Sequence, residues 1–257
     1  MNQVLSPTNL FYRKMRIDIY LSQNGYAKSR TDAKRLIQEG KVLINNQVVK
    51  KPSLEFEAEE NKIEILKSES EFASRGGLKL EGALDSFNLD VEGLLALDVG
   101  ASTGGFTDCL LSRGASHVIA VDSGRGQILE RLRSDERVTV FEGYNARHMK
   151  REDLSYSPEI AVMDVSFISS TLIIPKVFDV ISSGAHFICL IKPQFEVGKQ
   201  NLSKGGIVKD AKIRQEAVQK VKSFAESVGF FTVGIVESSI KGGDGNIEYL
   251  AYFKKRD

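Results

Sequence analysis

Four charged residues, two lysines and two acids, could together do proton chemistry. Lys192 ends the apolar run FICLI and precedes Pro193, Asp164 follows IAVM, Glu248 precedes YLAYF, and Lys79 lies in SRGGLKL. Lysine becomes a usable base when desolvation or a neighbouring cation lowers its pKa, and carboxylates can hold it in place by hydrogen bonds. Such a cluster suits taking the proton from a poorly nucleophilic hydroxyl, such as a ribose 2′-hydroxyl, while aligning it with an electrophile. Lys79 alone is equally compatible with an ordinary helix surface. The set of four carries the reading.

A second constellation is LALDVGASTGGFTDCLL. It puts an acid and a glycine-rich turn at the end of a first strand, where open α/β sheets bind ligands. A dinucleotide site wants G-x-G-x-x-G, yet the register Gly100, Ser102, Gly105 has serine in the middle. S-adenosylmethionine carries no phosphate. Its sulfonium and amino-acid end suit Asp98 together with a tight turn through Gly100, Ser102, Thr103, Gly104, Gly105 and Phe106. Asp122, twenty-two residues beyond Gly100, is spaced to accept hydrogen bonds from two ribose hydroxyls. Capping the next helix is its alternative role. Asn145 stands where adenine contacts occur, or simply makes a turn.

These residues require a sheet that gathers strand ends. Candidate strands are Leu94–Val99, His117–Asp122, Val138–Phe141, Ile160–Asp164 and Phe187–Ile191, separated by helix-sized intervals, which predicts βαβ units and a parallel sheet. Lys209 to Val228 reads as one helix stopped by Gly229, and Phe231–Val236 and Glu248–Phe253 as two further strands. The expected fold class is α/β, a Rossmann-like domain over 73–257 with a mostly parallel seven-stranded sheet. The 257 residues leave room for a small second domain. With 42% hydrophobic and 27% charged residues, disorder and fibrous folds are excluded.

The net charge of +1 hides an asymmetry. Residues 1–53 hold ten Lys or Arg against three Asp or Glu, and residues 54–70 hold two against six. A concentrated basic segment fits a polyanionic partner, with a solvated basic face as the alternative. After a loose start over 1–15, residues 16–66 read as a small α+β domain of two short helices and a hairpin. Ser29 caps the second helix, Gly40 ends it, and Ala33, Leu36 and Ile37 give it a buried face. Arg30 and Lys34 lie together beside that face. Val42, Ile44, Val48 and Val49 flank an Asn45–Asn46 turn, Lys62 to Leu66 alternates like a closing strand, and 67–72 reads as a polar linker.

Sixteen positions from Arg16 to Pro52, among them Asp18, Leu21, Gly25, Ser29, Arg30 and Gly40, make this segment resemble the S4 type of RNA-binding domain. The resemblance implies docking on folded RNA through Arg16, Arg30, Lys34, Lys41 and Lys51. From about residue 72 to 253 the chain resembles the FtsJ-like RNA ribose 2′-O-methyltransferases, whose Lys-Asp-Lys-Glu tetrad matches Lys79, Asp164, Lys192 and Glu248. Gly76–Gly77 departs from relatives that often carry bulkier residues there. Taken whole, the chain resembles the TlyA, or haemolysin A, family. That implies S-adenosylmethionine as cofactor and cytidine 2′-hydroxyls of ribosomal RNA, on subunits or the ribosome, as substrate.

Three other readings compete. A membrane-lytic protein is disfavoured because no run approaches about 18–20 apolar residues and MNQVLSPTNLFYRK lacks the order of an export signal. A cytoplasmic location is expected. A non-catalytic RNA-binding assembly factor would not need the tetrad. A base methyltransferase would favour Asn/Asp-Pro-Pro-aromatic over the Asp164-Val165-Ser166-Phe167 present here. Cys109 and Cys189 read as core residues, His117, His148 and His186 are given no role, and no metal is expected.

Overall fold

The computed structural model describes residues 14–27, 29–38, 40–57, 61–65 and 72–256. The chain divides into two compact units, 1–69 and 70–257.

In the smaller unit, β1 (Met15–Arg16) leads into α1 (Ile17–Gln23) and α2 (Arg30–Gln38), followed by β2 (Val42–Ile44), β3 (Gln47–Val48), β4 (Glu55–Phe56) and β5 (Ile63–Ile65). β1 pairs with β4, and β2 pairs with both β3 and β5. Ser29 Oγ accepts the Asp32 N–H at 3.1 Å, so the expected cap is present. Asn45 and Asn46, at φ 50° and 65°, form the hairpin turn between β2 and β3. Ile17, Leu21, Ala33, Ile37, Val42 and Phe56 close the core. Leu66 and residues 67–71 lie outside the described residues. Phe72, expected at the end of a polar linker, is instead buried in the core of the larger unit.

That unit runs α3 (Gly76–Phe87), β6 (Leu95–Val99), α4 (Gly105–Ser112), β7 (His117–Asp122), α5 (Glu130–Arg133), β8 (Val138–Glu142), β9 (Ile160–Met163), α6 (Ile174–Val180), β10 (His186–Ile191), α7 (Pro193–Glu196), α8 (Ala211–Val228), β11 (Phe230–Glu237) and β12 (Tyr249–Lys255). Its sheet order is β11-β12-β10-β9-β6-β7-β8. β12 is antiparallel to both neighbours, and the other four pairings are parallel. Several expected boundaries shift by one or two residues, two of them with consequences for the site. The long helix starts at Ala211 because Asp210 caps it through the Lys212 N–H, and Glu248 falls just before β12.

Strand alternation sorts the apolar residues onto two faces. Leu97, Val99, Ile119 and Val121 pack with α6 and α8, whereas Ala96, Val118, Ala120 and Ile188 pack with α3 and α4. Buried on both sides, the parallel strands are continuous apolar runs, which is why they were readable. Cys109 and Cys189 are buried in these cores. α3 and α4 approach closely at glycines. A Cβ on Gly105 would lie 2.2 Å from Ser74 Oγ, and one on Gly77 2.4 Å from the Phe72 ring.

Glu142, at the end of β8, fastens the loop that follows β7. It accepts the N–H groups of Gly126 and Gln127 at 2.8 Å and of Ile128 at 3.3 Å, and pairs with Arg133 at 2.7 Å. Burial pushes its carboxyl up, but these donors outweigh burial and bring it down to about 2 from the usual 4.5. A lowered carboxylate stabilises the fold fully above its unfolded pKa and loses that contribution as pH falls toward its folded one. Glu142→Gln should therefore lower the urea midpoint by a constant amount above about pH 5, and the gap should close as pH drops toward about 2. Parallel curves for parent and variant from pH 7 to 3 would refute the network.

Candidate active site

The ends of β6, β9 and β10 lie side by side, and β12 starts against the end of β10. Ile191 faces Tyr249 across β10 and β12, so the same register carried one residue further sets Lys192 opposite Glu248. Asp164 follows Met163, which pairs with Val99 on one side and Cys189 on the other. Lys79 enters from the first turns of α3.

The four form two ion pairs. Lys79 Nζ donates to Glu248 Oε2 at 2.6 Å, with side chains only 10% and 2% exposed. Lys192 Nζ lies 2.5 Å from Asp164 Oδ1 and donates to Ser166 Oγ at 2.8 Å. Its contact with Asp164 is one of charge, since Oδ1 receives no directed hydrogen bond. Gln194 Nε2 reaches Glu248 Oε1 at 3.4 Å, linking the two pairs. The backbone of Gly242 presses on the same carboxylate, where a Cβ would come within 2.4 Å of Oε1.

Beside Asp164 opens a cleft of about 400 Å³ lined by Gly100, Ser102, Asp122, Asn145, Asp164 and Phe167, among others. Gly100 sits at φ 90°, and a Cβ there would meet the Asp164 carbonyl oxygen at 2.2 Å. Only glycine fits this close approach. Asp122 Oδ2 accepts the Ser102 N–H at 2.8 Å and Oδ1 accepts the Gly124 N–H at 2.6 Å. The next helix, α5, is capped by Leu129, so Asp122 is not a helix cap. Each of its oxygens retains room for another donor. Asn145 lines the cleft and also makes a turn, with Oδ1 accepting the Arg147 N–H at 3.1 Å.

The other residues expected at the cofactor lie outside that lining. Alternation along β6 turns Asp98 toward α4, where Oδ2 accepts the Thr107 N–H at 2.9 Å and its hydroxyl at 2.7 Å. Oδ1 has no hydrogen-bond partner among the described residues, and complete burial pushes the carboxyl up to about 7. Thr103 accepts from Leu129 N–H. Gly104, at φ 96°, turns the chain into α4, Gly105 packs on Ser74, and Phe106 is buried in the α3/α4 core. These five shape the loop from beneath it.

Sequence reasoning passed over Ser166, Phe167 and Gln127. Phe167 is 92% exposed at φ 62°, and Gln127 Oε1 accepts from Ser102 Oγ at 3.1 Å. Only the placement of an aromatic in a strand-end loop hinted at Phe167.

In the smaller unit, two of the five residues expected to bind RNA serve the fold. Arg16 Nε and Nη2, both at 3.0 Å, and Arg30 Nε at 2.9 Å donate to the buried carboxylate of Asp18. Burial raises that carboxyl, but the two guanidinium groups prevail and lower it overall. Lys34 and Lys51 are exposed, and Lys41 is half-buried.

Among the described residues, no group of three His, Cys, Asp or Glu gathers as a metal site, and no helix is long and apolar enough to cross a membrane. Residues 72–255 match the FtsJ-like methyltransferase family and residues 15–61 match the S4 domain. The 16S/23S rRNA (cytidine-2′-O)-methyltransferase TlyA of Mycobacterium tuberculosis is 40% identical, over 94% of this chain and 90% of its own length. Hemolysin A of Brachyspira hyodysenteriae is 41% identical, over 93% of this chain and 99% of its own. A solved structure of a candidate hemolysin from Streptococcus thermophilus is 39% identical with a TM-score of 0.75, covering 96% of this chain and 90% of that one. With a family match across the whole larger unit and relatives of this identity along nearly the full length, the chain belongs to the FtsJ-like methyltransferase family, as a relative of TlyA and hemolysin A.

Proposed function

We propose that the chain uses S-adenosylmethionine to methylate a ribose 2′-hydroxyl of ribosomal RNA, with cytidine as the target and a ribosomal subunit or the ribosome as the particle. The observation that carries this reading is the pair of ion pairs, Lys79–Glu248 and Asp164–Lys192, gathered at one end of the sheet, with Asp164 itself lining a cleft walled by a glycine turn. The names of the TlyA relatives support the choice of ribose oxygen and of cytidine.

The residues of the cleft fit the cofactor. Asp122 offers carboxylate oxygens to a diol, and the Gly100 backbone leaves no side chain in the way. When bound, S-adenosylmethionine supplies the methyl group. On this reading Lys192 Nζ, held by Asp164 and Ser166, first releases a proton to solvent and then, as the neutral amine, takes the proton of the attacking hydroxyl. Lys79 and Glu248 neutralise each other and tie α3 to the residue before β12, which faces Lys192 in the sheet register. Phe167 presents an open aromatic face at the mouth, on which an unpaired base can stack. A non-catalytic RNA-binding factor or a lytic protein would not require this chemistry.

Because Lys79 and Glu248 are buried together, removing either strands the other, at a cost of about 3–5 kcal/mol. Lys192 is the cleaner probe, because the carboxylate it leaves behind, Asp164, is 23% exposed and so partly hydrated. Lys192→Ala should slow single-turnover transfer to ribosomal RNA by about two to four orders of magnitude, with S-adenosylmethionine affinity by calorimetry little changed. A near-parental rate would remove Lys192 from the chemistry. Asp122→Ala should weaken S-adenosylmethionine binding in the same calorimeter, and equal affinities would reduce Asp122 to a loop fastener.

RNA docking belongs to the smaller unit on this reading. A chain beginning at Ser70 should still bind S-adenosylmethionine but fail to methylate ribosomal particles. Reversing Lys34 and Lys51 to glutamate in the full chain should mimic that failure and flatten the salt dependence of RNA binding. Arg30 is a poor choice for this test, since its reversal would strip a partner from Asp18. Efficient methylation by the shortened chain would move the docking surface onto the larger unit.

A further inference from the structure

Immediately after Lys192 the chain makes a single helical turn, α7, and three consecutive side chains leave it toward three different elements. Gln194 reaches Glu248, which precedes β12. The Phe195 ring lies 5.2 Å from that of Phe167, three residues beyond Asp164. Glu196 Oε1 accepts the Ser170 N–H at 2.6 Å, and Oε2 accepts the Ser169 hydroxyl at 2.5 Å. Lys220 on α8 lies 3.3 Å from Oε2 and donates to the Glu196 carbonyl oxygen at 2.8 Å.

The Glu196 side chain is 1% exposed, although proton transfer makes no use of it. A buried carboxylate is costly unless charge-assisted hydrogen bonds offset its lost hydration, and here three donors do so. What those donors belong to decides the role. Ser169 caps the short 3-10 helix Ser170–Leu172, which ends the loop that begins at Asp164. The loop is thus held by β9 at one end and by Glu196 at the other. Between the two anchors lie Ser166, the hydrogen-bond partner of Lys192, and Phe167 in its left-handed backbone conformation. Such a conformation persists only where its surroundings over-determine it.

We propose that α7 is a bracket setting the spacing of Lys192, Asp164 and Glu248, with Glu196 as its anchor, a positioning residue that does not touch the substrate. The proposal rests on the methyl-transfer reading above. Without the anchor, the loop beyond Asp164 relaxes and Ser166 drifts from Lys192, while the opposite wall of the cleft, at Gly100, Ser102 and Asp122, stays in place and keeps its hold on the cofactor.

The test uses the full chain, ribosomal RNA substrate and four proteins: parent, Glu196→Ala, Glu196→Gln and Ser169→Ala. Misplacing reacting groups by about 1 Å costs roughly a hundredfold, so Glu196→Ala should slow saturated single-turnover transfer by about 10- to 100-fold. Its S-adenosylmethionine affinity should stay within about threefold of the parent, the split expected when an interaction matters to the transition state alone. Glutamine keeps an accepting oxygen for the Ser170 N–H and an amide for the Ser169 hydroxyl, so Glu196→Gln should recover to within about threefold of the parent rate. Ser169→Ala should show the same split with a smaller loss. A parental rate in Glu196→Ala, a glutamine variant as slow as alanine, or cofactor affinity falling in step with rate would each overturn the bracket. If melting by circular dichroism shows Glu196→Ala to be unfolded, Ser169→Ala carries the test, and a parental rate there overturns it. A parent that methylates no ribose would instead overturn the transfer reading.

Discussion

A lysine and a glutamate cannot each be buried alone in a protein interior. Lys79 and Glu248 are both nearly sealed from solvent, and each is tolerable only because the other is 2.6 Å away. That requirement ties the start of α3 to the residue preceding β12, across 169 positions of sequence. Much else follows from it. α3 must lie over the sheet end at which β6, β9 and β10 finish; its close seat on α4 demands glycine at position 105, and the Phe72 ring demands glycine at position 77.

The second ion pair is built differently. Lys192 and Asp164 sit on neighbouring strand ends, and Asp164, the more exposed of the two, lines the open cleft. One pair holds the architecture together, and the other faces the space where a substrate can enter. The same contrast runs through the glycine turn. Asp98 works from below through Thr107, whereas Asp122 works from above through Ser102 and Gly124.

How much of this was legible in the sequence depended on the range of the cause. The parallel strands were readable because burial on both faces leaves unbroken apolar runs, and His117–Asp122 was placed to the residue. Asp164, Lys192 and Glu248 stood out because charges at the ends of such runs have no solvent to explain them, whereas Lys79 stood out only as the fourth member of the set the resemblance implies. Side-chain direction was harder. Asp98 follows the alternation of β6 toward α4, a consequence visible only once the two faces of the sheet are assigned. Arg30 looked like a phosphate ligand on its helix, but its partner Asp18 is twelve residues away and fully buried. Phe72 sat at the end of a polar stretch, and nothing local reveals that it fills the space above Gly77.

The position of β12 has a consequence for the order in which the molecule comes into being. β12 is the last strand in sequence, yet it lies between β11 and β10 rather than at an edge. As the chain emerges during synthesis, β11 appears first and finds no neighbour waiting, and Lys79 has been made long before its counter-ion. Contacts of such long sequence separation form late and slowly. A nascent chain stopped short of residue 248 would therefore hold an open gap in its sheet and an uncompensated ammonium. Closure of the sheet and of this ion pair is deferred until translation has delivered β12.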